Sequence, residues 1–218
     1  MALVRRVYDR LRAHYGPQAW WPADTPFEVI VGALLMQQTS WGRVEEAIGN
    51  LKAAGLLDVR RLARADVATI RRHVRAAGLY RTKPARLRSF CRHLLARADG
   101  DLGPYFERPT AEIRADLLAQ RGVGPETADS ILLYAGGHPV FVVDAYTVRI
   151  GTRLGLLPST RYDDVQAFFE ARLPRDADLY KEVHALLVVH AKALCRPRPR
   201  CPDCPLLRIC AYGTGRKR

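Results

Sequence analysis

The stretch LLAQRGVGPETADSILLYAGGHPVFVVDA, residues 117–145, sets the architecture of this chain. It predicts a helix, a tight turn, and a second helix that begins at Pro125, whose missing N–H suits a first helical turn. Gly122 and Gly124 would let the backbone turn tightly and approach a ligand closely. We therefore predict a helix–hairpin–helix at about 113–135. Its N–H groups suit a phosphate, although an ordinary turn between two helices has the same pattern.

Outward from this stretch, apolar residues recur at helical spacing along most of the chain. Short breaks with glycine separate the segments. The predicted helices cover residues 1–16, 26–38, 41–54, 58–63, 66–77, 82–97, 110–119, 125–135, 145–155, 162–172 and 179–193. Only the run PVFVV at 139–143 resembles a strand, and it is too isolated to form a sheet. The sequence therefore predicts an all-α chain.

The balance of charge indicates the kind of partner. The chain has 35 Lys and Arg against 22 Asp and Glu, a formal net charge of +13 and a pI of about 10.0. Such a surplus favours a polyanion such as nucleic acid, with a basic but inert surface as the alternative. No apolar run approaches the ~18–20 residues that span a bilayer, and the N-terminal segment lacks the apolar core of a signal peptide. We expect a cytoplasmic, nucleoid-associated monomer without membrane contact.

The cysteines near the C-terminus predict a metal site. Cys195, Cys201, Cys204 and Cys210 have the spacing C-x5-C-x2-C-x5-C, and in a reducing compartment such a group indicates a metal rather than disulfides. Zinc sites usually pair cysteines as two C-x2-C units, of which only one is present. Cysteines spread along one short loop suit a [4Fe–4S] cluster, so the spacing favours the cluster over zinc or over unligated surface thiols. Cys91 lies on a predicted helix and is expected to be buried.

Four segments together resemble the endonuclease III family of DNA glycosylases over nearly the whole chain. They are TPFEVIVGALLMQQTS (25–40), AAGLYRTKPARLRSFCRHLL (76–95), RGVGPETADSILLYAGGHPVFVVDAYTVRI (121–150) and HALLVVHAKALCRPRPRCPDCPLLRIC (184–210). The resemblance implies two helical domains with a DNA-binding cleft between them. Residues 23–137 would form a six-helix barrel domain, and residues 1–22 with 138–218 an iron–sulfur cluster domain. The first cysteine gap is one residue shorter than is typical of the family.

The resemblance also implies roles in DNA binding. Extruding a base leaves a gap in the duplex that a protein side chain can fill. Gln38, at the end of its helix, and Leu79, in a Gly-Leu-Tyr loop, would enter the DNA, and Gly122, Val123 and Gly124 would hold phosphates. Taken without the family, Gln38 would cap the core and Leu79 would fill a gap in it.

For the chemistry, the resemblance points to an acid. Asp144 would be the catalytic carboxylate that stabilises an oxocarbenium-like sugar or activates water, with a helix N-cap as the structural alternative. Bifunctional members carry a Schiff-base lysine where this chain has Glu126, and a carboxylate cannot form that adduct. Glu126 is either structural, since a first helical turn favours negative charge, or it is catalytic or base-reading. The hairpin also resembles bacterial 3-methyladenine glycosylases, whose lysine on the late helix matches Lys192.

We therefore expect a monofunctional DNA glycosylase of base excision repair. It would flip a damaged or mismatched base out of double-stranded DNA and hydrolyse its N-glycosidic bond. One alternative is a bifunctional glycosylase and abasic-site lyase that uses another lysine, such as Lys83 or Lys192. The other is a non-catalytic protein that binds damaged DNA, and Asp144 argues against it because a pure binder has little use for a buried acid.

Overall fold

The computed structural model describes residues 2–215; Met1, where the first predicted helix begins, and residues 216–218 lie outside the described part. Within residues 2–215 the chain contains no strand, which confirms the predicted all-α class. In this part of the chain, no helix combines the length and apolar character needed to cross a membrane. The α-helices are α1 (Ala2–Tyr15), α2 (Pro26–Leu35), α3 (Trp41–Ala53), α4 (Val59–Arg64), α5 (Val67–Val74), α6 (Lys83–Ala98), α7 (Leu102–Phe106), α8 (Thr110–Leu118), α9 (Pro125–Ser130), α10 (Ala145–Leu154), α11 (Tyr162–Glu170) and α12 (Ala177–Ala193).

Side-chain caps explain where several of the helices begin. Asp58, Asp66 and Asp176 each accept a hydrogen bond from the backbone N–H three residues later, which satisfies an otherwise unpaired donor of the first turn. The sequence missed α7 because Gly103 and Pro104 look like helix breakers. In the structure Asp101 caps this short helix by accepting from the Gly103 N–H at 2.9 Å.

The β-like run at 139–143 lies outside any helix, is buried from Val140 to Val143, and has no strand partner among the described residues. Side chains of α11 take the place of such a partner. The Phe141 N–H donates to Glu170 Oε1 at 2.8 Å, and Gln166 Nε2 donates to the Phe141 carbonyl at 2.7 Å. The Phe141 ring also stacks on Phe169, with centroids 4.5 Å apart. The run is therefore fixed by polar side chains and aromatic packing, although no sheet exists here.

The chain divides into two compact units, and one of them comprises Ala23–His138. Its central helix is α2, in which every residue from Phe27 to Leu35 is buried. Helix α2 packs against α3, α6, α9 and the π-helical turn Ile131–Ala135 that continues α9. Because α2 is buried on all sides and is apolar apart from Glu28, which pairs with Lys52, it is the core of this unit.

The other unit combines Met1–Pro22 with Pro139–Arg218. Its central helix is α12, which is buried over most of its length and packs against α1 and α10. The segment after α1 is attached to α12 by the Gln18 N–H, which donates to both carboxylate oxygens of Glu182 at 3.1 Å. Both α10, which begins at Asp144, and the cysteine loop after α12 therefore belong to this unit.

Candidate functional site

The predicted hairpin joins α8 to α9 through a turn at residues 119–124. Gly122 has φ +86°, a conformation that favours glycine, and a Cβ there would also lie 2.7 Å from Cδ of the Arg86 side chain, which would have to shift. Gly124 differs: its φ of −98° suits any residue, and a Cβ there would meet nothing within 4 Å. Val123, between them, is buried, whereas both glycines are exposed. Only Gly122 is needed for the turn itself, and Gly124 leaves an open surface beside the start of α9.

Two contacts that the sequence did not predict fix this hairpin. Arg114 on α8 donates from Nε and Nη2 to the two carboxylate oxygens of Asp129, which is completely buried, at 2.7 and 3.1 Å. Gln37 Nε2 donates to the Gly122 carbonyl at 2.7 Å and to Thr127 Oγ1 at 3.3 Å. A bidentate ion pair and an amide bridge of this kind restrain the angle between α8 and α9. The hairpin is therefore a rigid platform.

The end of α2 corrects the prediction for Gln38. The helix stops at Leu35, where the apolar stripe ends, and Gln38 lies beyond it in a turn with φ +54°. Its side chain is exposed, which rules out the core-cap alternative. The neighbouring Gln37 is the residue that points inward, towards the hairpin. Adjacent glutamines thus have different roles that the sequence could not separate.

Leu79 lies in the turn before α6, with Gly78 at φ +72° and Leu79 itself at φ +43°. Its side chain is 41% exposed, so it does not fill a gap in the core. Its neighbour Tyr80 is also exposed, with the Arg75 guanidinium 5.8 Å from the ring centroid. A leucine is unfavourable here on two counts: its backbone lies in the left-handed region, and its apolar side chain is exposed to solvent. Backbone strain of this kind is concentrated at functional sites.

Asp144 is the N-cap of α10: Oδ1 accepts from the Thr147 N–H at 2.6 Å. Its side chain is only 12% exposed, and Oδ2 lies 3.7 Å from Nε2 of His184 on α12. Burial alone would raise the pKa of Asp144, but His184 and the bonds to Thr147 outweigh it, so the pKa lies below its usual value. The structural alternative, an N-cap, is thus observed, and it coexists with a nearly buried, ionised carboxylate.

The three other titratable candidates lie in different surroundings. Glu126 is exposed in the first turn of α9. Lys192 is exposed on α12, with Nζ 5.8 Å from the Trp20 ring, and it lies two turns beyond His184, or roughly 12 Å along the helix. Lys83 is 2% exposed and its Nζ is bound to three backbone carbonyls. Burial, followed by Arg86, lowers the pKa of Lys83 to about 8, which would suit a nucleophile, but its enclosure does not.

The four C-terminal cysteines line a single cavity, together with His190 and the apolar Leu194 and Leu206. All four thiols are partly buried: Cys195, Cys201, Cys204 and Cys210. Arg153 Nη1 donates to Cys195 Sγ at 3.3 Å and to the Arg196 carbonyl. The Gly213 N–H donates to Cys210 Sγ at 3.4 Å. A side-chain donor therefore contacts the sulfur of Cys195, and a backbone donor contacts that of Cys210.

Residues 31–175 match the family model described as HhH-GPD superfamily base excision DNA repair protein. The chain belongs to this superfamily. The match includes the turns that carry Gln38 and Leu79, the hairpin and Asp144. The cysteine loop lies outside the matched residues.

Within the HhH-GPD superfamily, the chain is similar to named proteins along nearly its whole length. A protein of Methanocaldococcus jannaschii, named as a candidate DNA repair glycosylase, is 42% identical over 210 residues, which are 95% of this chain and 96% of that one. Endonuclease III of Escherichia coli is 28% identical over 195 residues, covering 87% and 85%. The crystal structure of H. pylori 3-methyladenine DNA glycosylase bound to 1,N6-ethenoadenine has a TM-score of 0.77 at 28% identity, covering 87% and 97%. The chain is thus a helix–hairpin–helix glycosylase homologue of endonuclease III type.

Proposed function

We propose that this chain is a monofunctional DNA glycosylase that hydrolyses the N-glycosidic bond of a damaged or mismatched base in double-stranded DNA. The observation that carries the proposal is the nearly buried Asp144 carboxylate in a chain whose hairpin presents Glu126 where bifunctional relatives have lysine. Superfamily membership supports glycosylase chemistry in general. The absence of the Schiff-base lysine from this position supports hydrolysis by water rather than attack by an amine.

Asp144 would act while positive charge develops on the sugar. As the base leaves, the ring becomes oxocarbenium-like, and a carboxylate withdrawn from solvent stabilises that charge more strongly than it would in water. The lowered pKa of Asp144, which His184 and Thr147 cause against the effect of burial, keeps the group ionised at neutral pH. The bond from the Thr147 N–H also fixes the orientation of Oδ1. The same carboxylate can orient the attacking water, because both roles need an ionised acid at a fixed position.

DNA binding would use three exposed turns of the unit Ala23–His138. The hairpin at Gly122–Gly124 would hold phosphates, because its backbone is rigid and open at Gly124. Gln38 and Leu79 would occupy the gap that a flipped base leaves, since both are exposed in turns whose backbone is restrained. The net charge of +13 supports binding to a polyanion.

The proposal is tested by base release from a panel of duplex oligonucleotides that carry alkylated, etheno, oxidised, deaminated or mismatched bases. Duplexes with alkylated and etheno purines are tested first, because the crystal structure of the H. pylori relative contains 1,N6-ethenoadenine. We expect a free base from at least one duplex, measured by mass spectrometry. Tight binding to a duplex with an abasic-site analogue, without base release from any member of the panel, would favour the non-catalytic alternative.

We also propose that Cys195, Cys201, Cys204 and Cys210 hold a [4Fe–4S] cluster. The residues fit this group because all four thiols line one cavity that also has apolar walls. Zinc would need four sulfur atoms around one centre, whereas a cubane takes one thiolate at each of four separated irons. When bound, the cluster would cross-link the loop after α12.

Protein purified without oxygen is expected to contain about four iron atoms per chain, no zinc, and a broad absorption near 400 nm. Replacing Cys204 by serine should remove most of the iron. Cys91→Ala is the matched control, because Cys91 is fully buried on α6 and burial raises its pKa to about 12, so it remains a thiol. One zinc and no iron in the unmodified protein would contradict the cluster.

A further inference from the structure

Lys83 is the first residue of α6, and its ammonium group is enclosed by backbone carbonyls. Nζ donates to the carbonyl oxygens of Leu35 at 2.8 Å, Gln37 at 2.7 Å and Ala77 at 2.7 Å. An ammonium has three N–H groups, so all of its donors are used. Because the residue is 2% exposed, water cannot replace any of these bonds without rearrangement. Lys83 therefore connects the end of α2 to the turn before α6.

These carbonyls lie beside the two turns that carry the exposed side chains of Gln38 and Leu79. The Gln37 carbonyl immediately precedes Gln38, which has φ +54°, and the Ala77 carbonyl lies two residues before Leu79, which has φ +43°. Residues other than glycine adopt this left-handed conformation only where surrounding contacts fix it. The three bonds from Lys83 are contacts of this kind, and they act on both turns through one atom.

A buried ammonium is a costly way to fill space. An apolar side chain of similar length would avoid the desolvation of the charge, and replacing buried charges with well-packed apolar groups is often neutral or stabilising. An apolar side chain cannot bind three carbonyls from two separate segments, one 46–48 residues and the other 6 residues away along the chain. The ammonium group of Lys83 is therefore better suited to holding these backbone segments in position than to filling space in the core.

We propose that Lys83 is a positioning residue, which holds the turns of Gln38 and Leu79 at a fixed separation so that both side chains can enter one opened step of a DNA duplex. This inference rests on the DNA-binding role under the proposed function. Lys83 would not touch DNA, because its side chain is enclosed. Lys83 would lower the cost of ordering the two turns when the protein binds a duplex with a missing base. It would not change the phosphate contacts, which an intact duplex also offers.

The restraint of both turns by Lys83 is tested first without DNA, by amide hydrogen exchange in Lys83→Met. This substitution keeps an unbranched side chain and removes the N–H donors of the ammonium group. The backbone N–H groups of Thr39, Gly78 and Thr82 are hydrogen-bonded within the two turns. We expect their exchange to accelerate together, while the Val123 N–H in the hairpin keeps its rate. Leu94→Ala is the matched control, since Leu94 is fully buried on α6 about three turns beyond Lys83. Faster exchange in one turn alone, or in neither, would show that Lys83 does not restrain the two turns together.

The second readout is the preference for a duplex with a tetrahydrofuran abasic analogue over the intact duplex. Lys83→Met should lower this preference about tenfold, or ~1.4 kcal/mol, whereas Leu94→Ala should leave it unchanged at similar loss of stability. Leu79→Ala should have little further effect in the Lys83→Met background, because the two residues would act through the same turn. If Lys83→Met does not fold, Lys83→Arg, which keeps the charge and more than two donors, is compared with Lys83→Gln, which is neutral, shorter and has only two donors. The preference should fall more in Lys83→Gln.

The two hypotheses remain separable. If the unmodified protein binds both duplexes equally, the proposed DNA role fails, and the exchange experiment alone decides whether Lys83 restrains the turns. If the unmodified protein prefers the abasic duplex and Lys83→Met keeps the whole preference, Lys83 has only a structural role and the inference is wrong.

Discussion

Replacing Asp144 by asparagine is expected to reduce base release a few-hundredfold and to leave DNA affinity nearly unchanged. The amide has the shape of the carboxylate but no charge, so it cannot offset the positive charge on the sugar, and losing one such contact commonly costs ~3–4 kcal/mol. Single-turnover release of a base from the best duplex of the panel, with the affinity for an abasic analogue measured in parallel, separates the chemical step from binding.

Asp144→Ala is the control for the structural role of the same residue. Asp144 caps α10 through the Thr147 N–H, and asparagine also caps helices well, whereas alanine does not. The alanine variant should therefore lose about 1 kcal/mol of stability that the asparagine variant keeps, while both lose base release. Full activity in Asp144→Asn would show that the residue is an N-cap and nothing more.

The second large effect concerns the product. Because Glu126 replaces the lysine that would attack the sugar, the reaction should leave an intact strand with an abasic site, and the strand should break only after alkali or heat. Borohydride should trap no covalent adduct between the unmodified protein and damaged DNA. Denaturing gels of end-labelled duplex, with and without alkali, measure both results.

Matched variants make this test sharper. Glu126→Gln should keep base release if Glu126 is only a favourable charge at the start of α9, and lose it if the carboxylate takes part in chemistry. Glu126→Lys restores the residue type of bifunctional relatives, and an adduct trapped in this variant alone would locate residue 126 at the sugar. An adduct on the unmodified protein that disappears in Lys192→Ala would instead show a lyase that uses the exposed lysine of α12.

Much of the fold and part of the site follow from local sequence patterns. Aspartate caps and apolar periodicity place most helix ends within two residues, because both signals act over one or two turns. The exceptions are the ends of α2, α5 and α9, of which the last two continue as the 3-10 turn Arg75–Ala77 and the π-helical turn Ile131–Ala135. The Gly122 turn and the position of Asp144 before α10 are local for the same reason. The Asp144 cap was predicted as an alternative to catalysis, and the structure makes the two compatible.

Other features depend on partners that are distant in sequence. The pattern at 139–143 is that of a strand, yet side chains of α11 form hydrogen bonds with the Phe141 backbone. No local sequence signal predicts these bonds. The sequence presents Gln37 and Gln38 as equivalent, and only the approach of the Gly122 carbonyl selects Gln37 for the contact with the hairpin. Lys83 looks like an ordinary helical lysine and a candidate nucleophile until its carbonyl partners are seen.

The sequence by itself determined the all-α class, the hairpin, the family, and the spacing of four cysteines, because these depend on residue type and on separations of a few positions. Only the tertiary structure decided that Gln38 and Leu79 are exposed in left-handed turns, that Asp144 is nearly buried beside His184, and that Lys83 joins two turns. The physical reason is that burial, pKa and backbone strain are set by neighbours in space, and those neighbours come from segments tens of residues apart.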